Sequence, residues 1–297
     1  MWAGDKAYSD LMRELWGSPG LWSKKKTYDE SAKTLGVDEE TVRNRVKHMK
    51  DSGFLIGWRV VPAPGVLGRK PALVLLETEE SEKERVISQL KKKDGVIMII
   101  NIYGTNVILN VFDDEKQTSL KEISKISDVK INPLTVPQMN MPQGNFKMTP
   151  TDWMIVGSLL RDAERKLSEV AGEVKVSQKT VKRRINAMMG AYAILTMPMV
   201  NLKKSSGISY SLMIQSDEAK KAEVEKEVAS KIGNLVFRAN ASETGSIFGF
   251  NGANIAEGSE IVKWVRQLDG VKAAKIYISE EVIHVFDWLA REVKTKL

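Results

Sequence analysis

The chain of 297 residues repeats itself. At an offset of 139 residues, VDEETVRNRVKHMKDSGFLI from Val37 lies over VSQKTVKRRINAMMGAYAIL from Val176. Val37/Val176, Thr41/Thr180, Val42/Val181, Arg45/Arg184 and Met49/Met188 are identical. Glu30/Glu169, Ala32/Ala171 and Gly68/Gly207 keep the offset, and further on it slips by only a few residues, at Gly95/Gly233, Gly104/Gly245 and Val129-Lys130 against Val271-Lys272. Order and spacing persist across most of both halves, which reads as a duplication of a unit of about 140 residues. Whatever one half folds into, the other is expected to repeat.

Each unit divides again by hydrophobic period. Its first part is helical. In the first copy an amphipathic segment (Tyr8 to Trp16) precedes TYDESAKTL and a turn at Gly36, and Asp38 caps a third helix with Val42, Val46 and Met49 on one stripe. In the second copy Thr151 to Arg161, then Arg165 to Val174, precede a helix capped by Ser177 with Val181, Ile185 and Met188 on its stripe. Three short helices with a tight turn before the last make a helix-turn-helix. The remainder of each unit alternates as β-α-β-β-α-β, PALVLLET through DVKINPLTV in the first copy and YSLMIQS through GVKAAKIYI in the second. That order predicts a ferredoxin-like antiparallel sheet with its helices on one face.

The expected fold class is therefore α+β: two winged or plain helix-turn-helix domains alternating with two ferredoxin-like domains, plus a C-terminal helix. The boundaries read as helix-turn-helix domains at 1–68 and 148–207, ferredoxin-like domains at 69–137 and 208–279, a Pro/Gln/Asn-rich linker at 138–147, and an amphipathic helix at 280–297. That last helix is expected to rest on its own domain or, less often, to serve an oligomer interface.

Composition narrows the function. The chain has no cysteine, which excludes disulfides, thiolate nucleophiles and thiolate metal sites. No apolar run reaches membrane-spanning length and the N-terminus lacks a signal-peptide core, so a cytoplasmic location and no membrane partner are expected. Net charge is +7, distributed as +2 over residues 1–68, 0 over 69–146, +6 over 147–207 and −1 over 208–297. The excess lies in the helical domains, as on a nucleic-acid-binding head joined to a neutral scaffold. No P-loop, His/Cys metal set or Ser/His/Asp arrangement stands out, and GSIFGFNG fits a strand better than a nucleotide loop. No catalytic residue, metal or cofactor is therefore assigned, and no enzyme is expected.

In a helix-turn-helix the third helix enters the major groove. On the second copy its outward candidates are Gln178, Lys179, Thr180, Lys182, Arg183, Arg184 and Asn186, with Arg183 best placed to read a base; on the first they are Thr41, Arg43, Asn44, Arg45 and Lys47. The first face also carries Glu40 and Asp51, so the two heads are expected to be unequal. Arg45 and Arg184 lie about 60° from the centre of the apolar stripe, which suits either an internal salt bridge or a phosphate contact. His48 and His284 read as helix-surface residues.

The segments YDESAKTLGVDEETVRNRVKHMKDSGFLIGW and RDAERKLSEVAGEVKVSQKTVKRRINAM resemble the helix-turn-helix of the leucine-responsive and asparagine-operon regulators, the Lrp/AsnC family. The βαββαβ parts resemble that family's effector-binding and oligomerisation domain. The resemblance implies a tandem-fused, sequence-specific transcription regulator whose partner is double-stranded DNA, with oligomers formed through the sheet domains. It also implies an amino-acid effector beside a Gly-x-x-Asp turn, but Val107 and Phe248 stand at the acidic position after Gly104 and Gly245, which argues against that effector. Two alternatives remain open. One is an enzyme like the siroheme decarboxylases, which needs histidines in the sheet domain. The other is a regulator whose first head binds protein instead of DNA.

Overall fold

The computed structural model describes residues 6–16, 27–131, 146–205, 207–232, 235–240 and 242–297. The inserted GSPG (Gly17 to Gly20) and nearly all of the 138–147 linker lie outside these residues. The first head comprises α1 (Lys6–Trp16), α2 (Tyr28–Leu35) and α3 (Glu39–Asp51), followed by β1 (Leu55–Pro62). The first sheet unit runs β2 (Lys70–Thr78), α4 (Lys83–Leu90), β3 (Val96–Ile102), β4 (Asn106–Asp113), α5 (Thr118–Ser124) and β5 (Val129–Ile131). The pattern then repeats with α6 (Pro150–Leu159), α7 (Leu167–Val174), α8 (Gln178–Gly190) and β6 (Ile194–Val200). β7 (Ile208–Ser216), α9 (Lys221–Lys231), β8 (Leu235–Asn240), β9 (Gly245–Gly252), α10 (Ile255–Val265), β10 (Val271–His284) and α11 (Asp287–Lys294) complete it.

Local chemistry sets the helix ends. Thr27 opens α2 with a reciprocal capping box to Glu30, and Thr149 opens α6 with another to Asp152. The turn before each third helix needs a left-handed residue. Gly36 supplies it in the first head at φ 65°, and Lys175 adopts the same conformation at φ 57° in the second. The substitution in the repeat therefore preserves the turn, at a strain cost that glycine does not carry.

The sheet strands form one continuous eight-stranded antiparallel sheet in the order β5-β2-β4-β3-β10-β7-β9-β8. Each unit has the ferredoxin-like order, and they join within the chain because β10 is long enough to serve both. Val271–Ser279 pairs with β7, and Ser279–His284 pairs with β3 of the other unit. This corrects the expected helix at 280–297. Val282 and Ile283 are β-branched and complete the ladder with Ile100 and Ile99, so the strand continues to His284 and the helix begins at Asp287. Nor does α11 rest on the sheet of its own unit: it packs on α6 of the second head, where Arg161 pairs with Asp287, and on the first sheet unit, where Trp288 Nε1 donates to the Val96 carbonyl at 2.5 Å and Arg291 pairs with Asp94.

The heads are joined as well. β1 and β6 pair with each other over Leu55–Pro62 and Ile194–Val200, making a two-stranded ribbon between the heads instead of a hairpin wing on each. Arg59 on this ribbon is fully buried and donates to the carbonyls of Val285 and Ile97, tying the ribbon to β3 and the start of the tail. Burial pushes its guanidinium down to about 9. The core of the second head (Ile155, Val181, Met188) is continuous with that of the first sheet unit (Val74, Val86, Leu109) and with Trp288 and Leu289 of α11. The first head has its own core around Leu11, Val42 and Trp58, reaching Val200 and Val282.

Candidate nucleic-acid interface

The third helix of the second head is placed by what it buries. Val181 and Met188 are fully buried and Ile185 half-buried, while Ser177 caps the helix by accepting the Thr180 N–H at 3.1 Å. The stripe fixes the rotation of α8 and leaves Gln178, Lys179, Lys182, Arg183 and Asn186 exposed. Thr180 is half-buried, its hydroxyl 2.9 Å from Ser177 Oγ. Lys179, Lys182 and Arg183 make no ion pair among the described residues, and the helix contains no acidic side chain. Three cations on one exposed face, without counter-charges on their own helix, give a surface that attracts phosphate.

Arg184 does not belong to that face. Its Nε donates to Asp152 Oδ1 at 2.6 Å, a second guanidinium nitrogen donates to Asp152 Oδ2, and the group lies 5.5 Å from the centre of the Phe146 ring. Asp152 is completely buried. Burial pushes its carboxyl up, but hydrogen bonds from Arg184 and Thr149 together with the Arg184 charge outweigh this and hold it below its ordinary value. Of the two readings of Arg184, the internal salt bridge is the one realised. It clamps α8 to α6, so Arg184 leaves the set of groove-facing residues.

The first head differs. Arg43, Asn44 and Lys47 are exposed and Thr41 and Arg45 half-buried. Arg43 is already ion-paired with Glu39 one turn back and lies 5.4 Å from the Tyr28 ring centre. Lys50 is paired at 2.6 Å with Glu164 of the second head. Arg13 of α1 is paired with Asp10, and Arg45 makes no ion pair among the described residues that would match the Arg184 clamp. With Glu39 and Glu40 in its first turn, α3 presents mixed charge.

The profile of the AsnC-type helix-turn-helix domain matches residues 148–189, which span α6 through most of α8. The second head is similar to the AsnC-type helix-turn-helix domain. The HTH-type transcriptional regulator Ptr1 of Methanocaldococcus jannaschii is 31% identical over 81 residues, 27% of this chain and 55% of that protein. The chain thus spans about half the length of this curated relative. Beyond its AsnC-type head the chain is similar, over 98% of both chains, to the crystal structure of the siroheme decarboxylase NirDL, with 11% identity and a TM-score of 0.59. The structure of NirDL in co-complex with an iron-uroporphyrin III analogue gives 12% and 0.56 over the same coverage. At these identities the likeness shows a shared fold.

One expectation about chemistry is overturned. His284 is not on a helix surface but on β10, inside the sheet, where both ring nitrogens are shut off from solvent and have no hydrogen-bond partner among the described residues. Its position was hidden because Val282, Val285, Phe286, Leu289 and Val293 are spaced as on one helix. His48 is exposed as expected, its Nδ1 3.0 Å from the Tyr8 hydroxyl. GSIFGFNG is strand β9, as read. Among the described residues no group of three or more His, Cys, Asp or Glu could hold a metal ion, and no helix is long and apolar enough to cross a membrane.

Proposed function

We propose that this chain is a sequence-specific, double-stranded-DNA-binding transcription regulator whose second head reads the major groove through α8. The observation that carries the reading is the exposed set Lys179, Lys182 and Arg183, without an ion-pair partner among the described residues, on the third helix of an AsnC-type helix-turn-helix. Arg183 is suited to donate to guanine O6/N7 and Asn186 to bond adenine, with Lys179 and Lys182 on phosphates and Gln178 and Thr180 at the helix start. The first head adds a weaker contact through Asn44, Arg45 and Lys47, so the site consists of two dissimilar half-sites about one helical turn (~34 Å) or a multiple apart. Replacing Lys182 and Arg183 together by Glu is expected to cut duplex affinity at least tenfold and to lower the salt slope by about two. Unchanged binding by a folded double variant rejects the assignment. A footprint covering a single half-site favours a first head that binds protein.

A second reading, a decarboxylase acting on a tetrapyrrole, is favoured by one observation, the location of His284 in the sheet beside a cavity. That cavity is about 80 Å³ and admits no tetrapyrrole unless the first head lifts away. Soret absorbance on titration with an iron porphyrin separates the readings.

A further inference from the structure

Beneath the first head lies an apolar cavity of about 80 Å³. Met12 of α1 and Phe54 roof it from the head, Met197 of β6 closes one side, and Met98 of β3 and His284 of β10 line the sheet side. Its other polar side chains satisfy one another: Ser209 Oγ donates to Asn251 Oδ1 at 2.9 Å, and Ser211 and Ser279 share a hydrogen bond at 3.1 Å. Tyr210 donates to the Asn254 carbonyl. His284 is the exception, with two enclosed ring nitrogens and no partner for either among the described residues. A buried group left unmatched in this way costs stability unless something occupies the space beside it.

The shape and chemistry restrict the occupant. One water needs about 10–15 Å³ on this scale, so 80 Å³ holds about five to eight heavy atoms, up to the size of one aromatic ring with a substituent. The methionine-rich wall is adaptable and favours an aromatic guest through sulfur contacts. Burial, and secondarily the Arg59 charge, push the imidazole well below its ordinary value, so it is neutral and offers one acceptor and one donor nitrogen. The nearby Arg59, which makes no ion pair among the described residues, favours a guest group with partial negative charge on oxygen.

The geometry points to a binding site for a single-ring phenol, its hydroxyl donating to the free acceptor nitrogen of His284 and its ring filling the space between Met12, Met98 and Met197. The site goes beyond the proposed DNA contact and does not depend on it. The test is calorimetric titration of the full chain, without DNA, with p-cresol and with toluene, which has the same ring but no hydroxyl. Saturable one-to-one binding is expected, with p-cresol about tenfold tighter than toluene, the worth of one buried hydrogen bond. His284→Phe should abolish that tenfold preference while toluene still binds. Met197→Trp, which fills the cavity from the ribbon side, should eliminate both. Absence of saturable p-cresol binding by the wild-type chain, equal affinity for the two probes, or binding that survives Met197→Trp overturns the proposal. The wild-type comparison stands even where a variant fails to fold.

Discussion

Replacing Asp152 by Asn tests whether Arg184 is a strut or a DNA contact. The carboxylate is fully buried and the guanidinium about one-quarter exposed, so the pair is desolvated on one side only. Removing one partner of a buried ion pair costs about 3–5 kcal/mol, and water reaching the freed Arg184 reduces this to roughly 2–3 kcal/mol. Asp152 Oδ2 also accepts from Thr149 N–H at 2.8 Å and Thr149 Oγ1 at 2.7 Å. The Asn oxygen retains part of that cap, so its weakening adds at most about 1 kcal/mol. The expected total is about 3 kcal/mol, read by urea unfolding, with a thermal midpoint lowered by about 6–12 °C. The carboxyl is held below its ordinary value in the folded state, so its contribution is fully present above about pH 4 and is lost as pH falls through the folded value. The gap between wild type and variant should therefore close in acid. A stability change under about 0.5 kcal/mol, together with lost duplex affinity on replacing Arg184 by Ala, would refute the strut.

Two further substitutions probe the backbone. Lys175→Gly relieves a left-handed residue that makes no ion pair among the described residues and should stabilise the second head by about 0.5–1 kcal/mol in thermal unfolding. Gly95→Ala should destabilise by about 2–4 kcal/mol, since its φ is +87° and a Cβ would lie 2.3 Å from Ser119 Oγ and 2.6 Å from the Phe112 carbonyl oxygen.

What the sequence made legible follows from range. Helix caps at Thr27, Asp38 and Ser177 act within three residues, and the stripes through Val42 and Val181 within a dozen, so the helical heads could be read directly. The alternating strands were equally plain where turns bounded them. β1 and β6 went unread because they lie close behind helices and their partners are more than a hundred residues away. Their signal was available: LIGWRVV and ILTMPMV are both apolar, partly β-branched and stand at the repeat offset. The clamp on Arg184 needed Asp152, 32 residues earlier and on another helix. The tail misled because residues 280–284 fit both the helical period that continues through Leu289 and the strand ladder, and pairing with β3, a long-range event, decides between them.

The crossing of β10 onto β3 and the shared ribbon mean that neither half is self-sufficient, although the gene reads as one module written twice. Cut between the modules, the chain would give two fragments, each with an open strand edge shaped for the other, and such edges aggregate when left alone. Carrying both halves on one chain therefore enforces their equal supply and guards the junction during synthesis. It also lets each head diverge in charge without losing its mate.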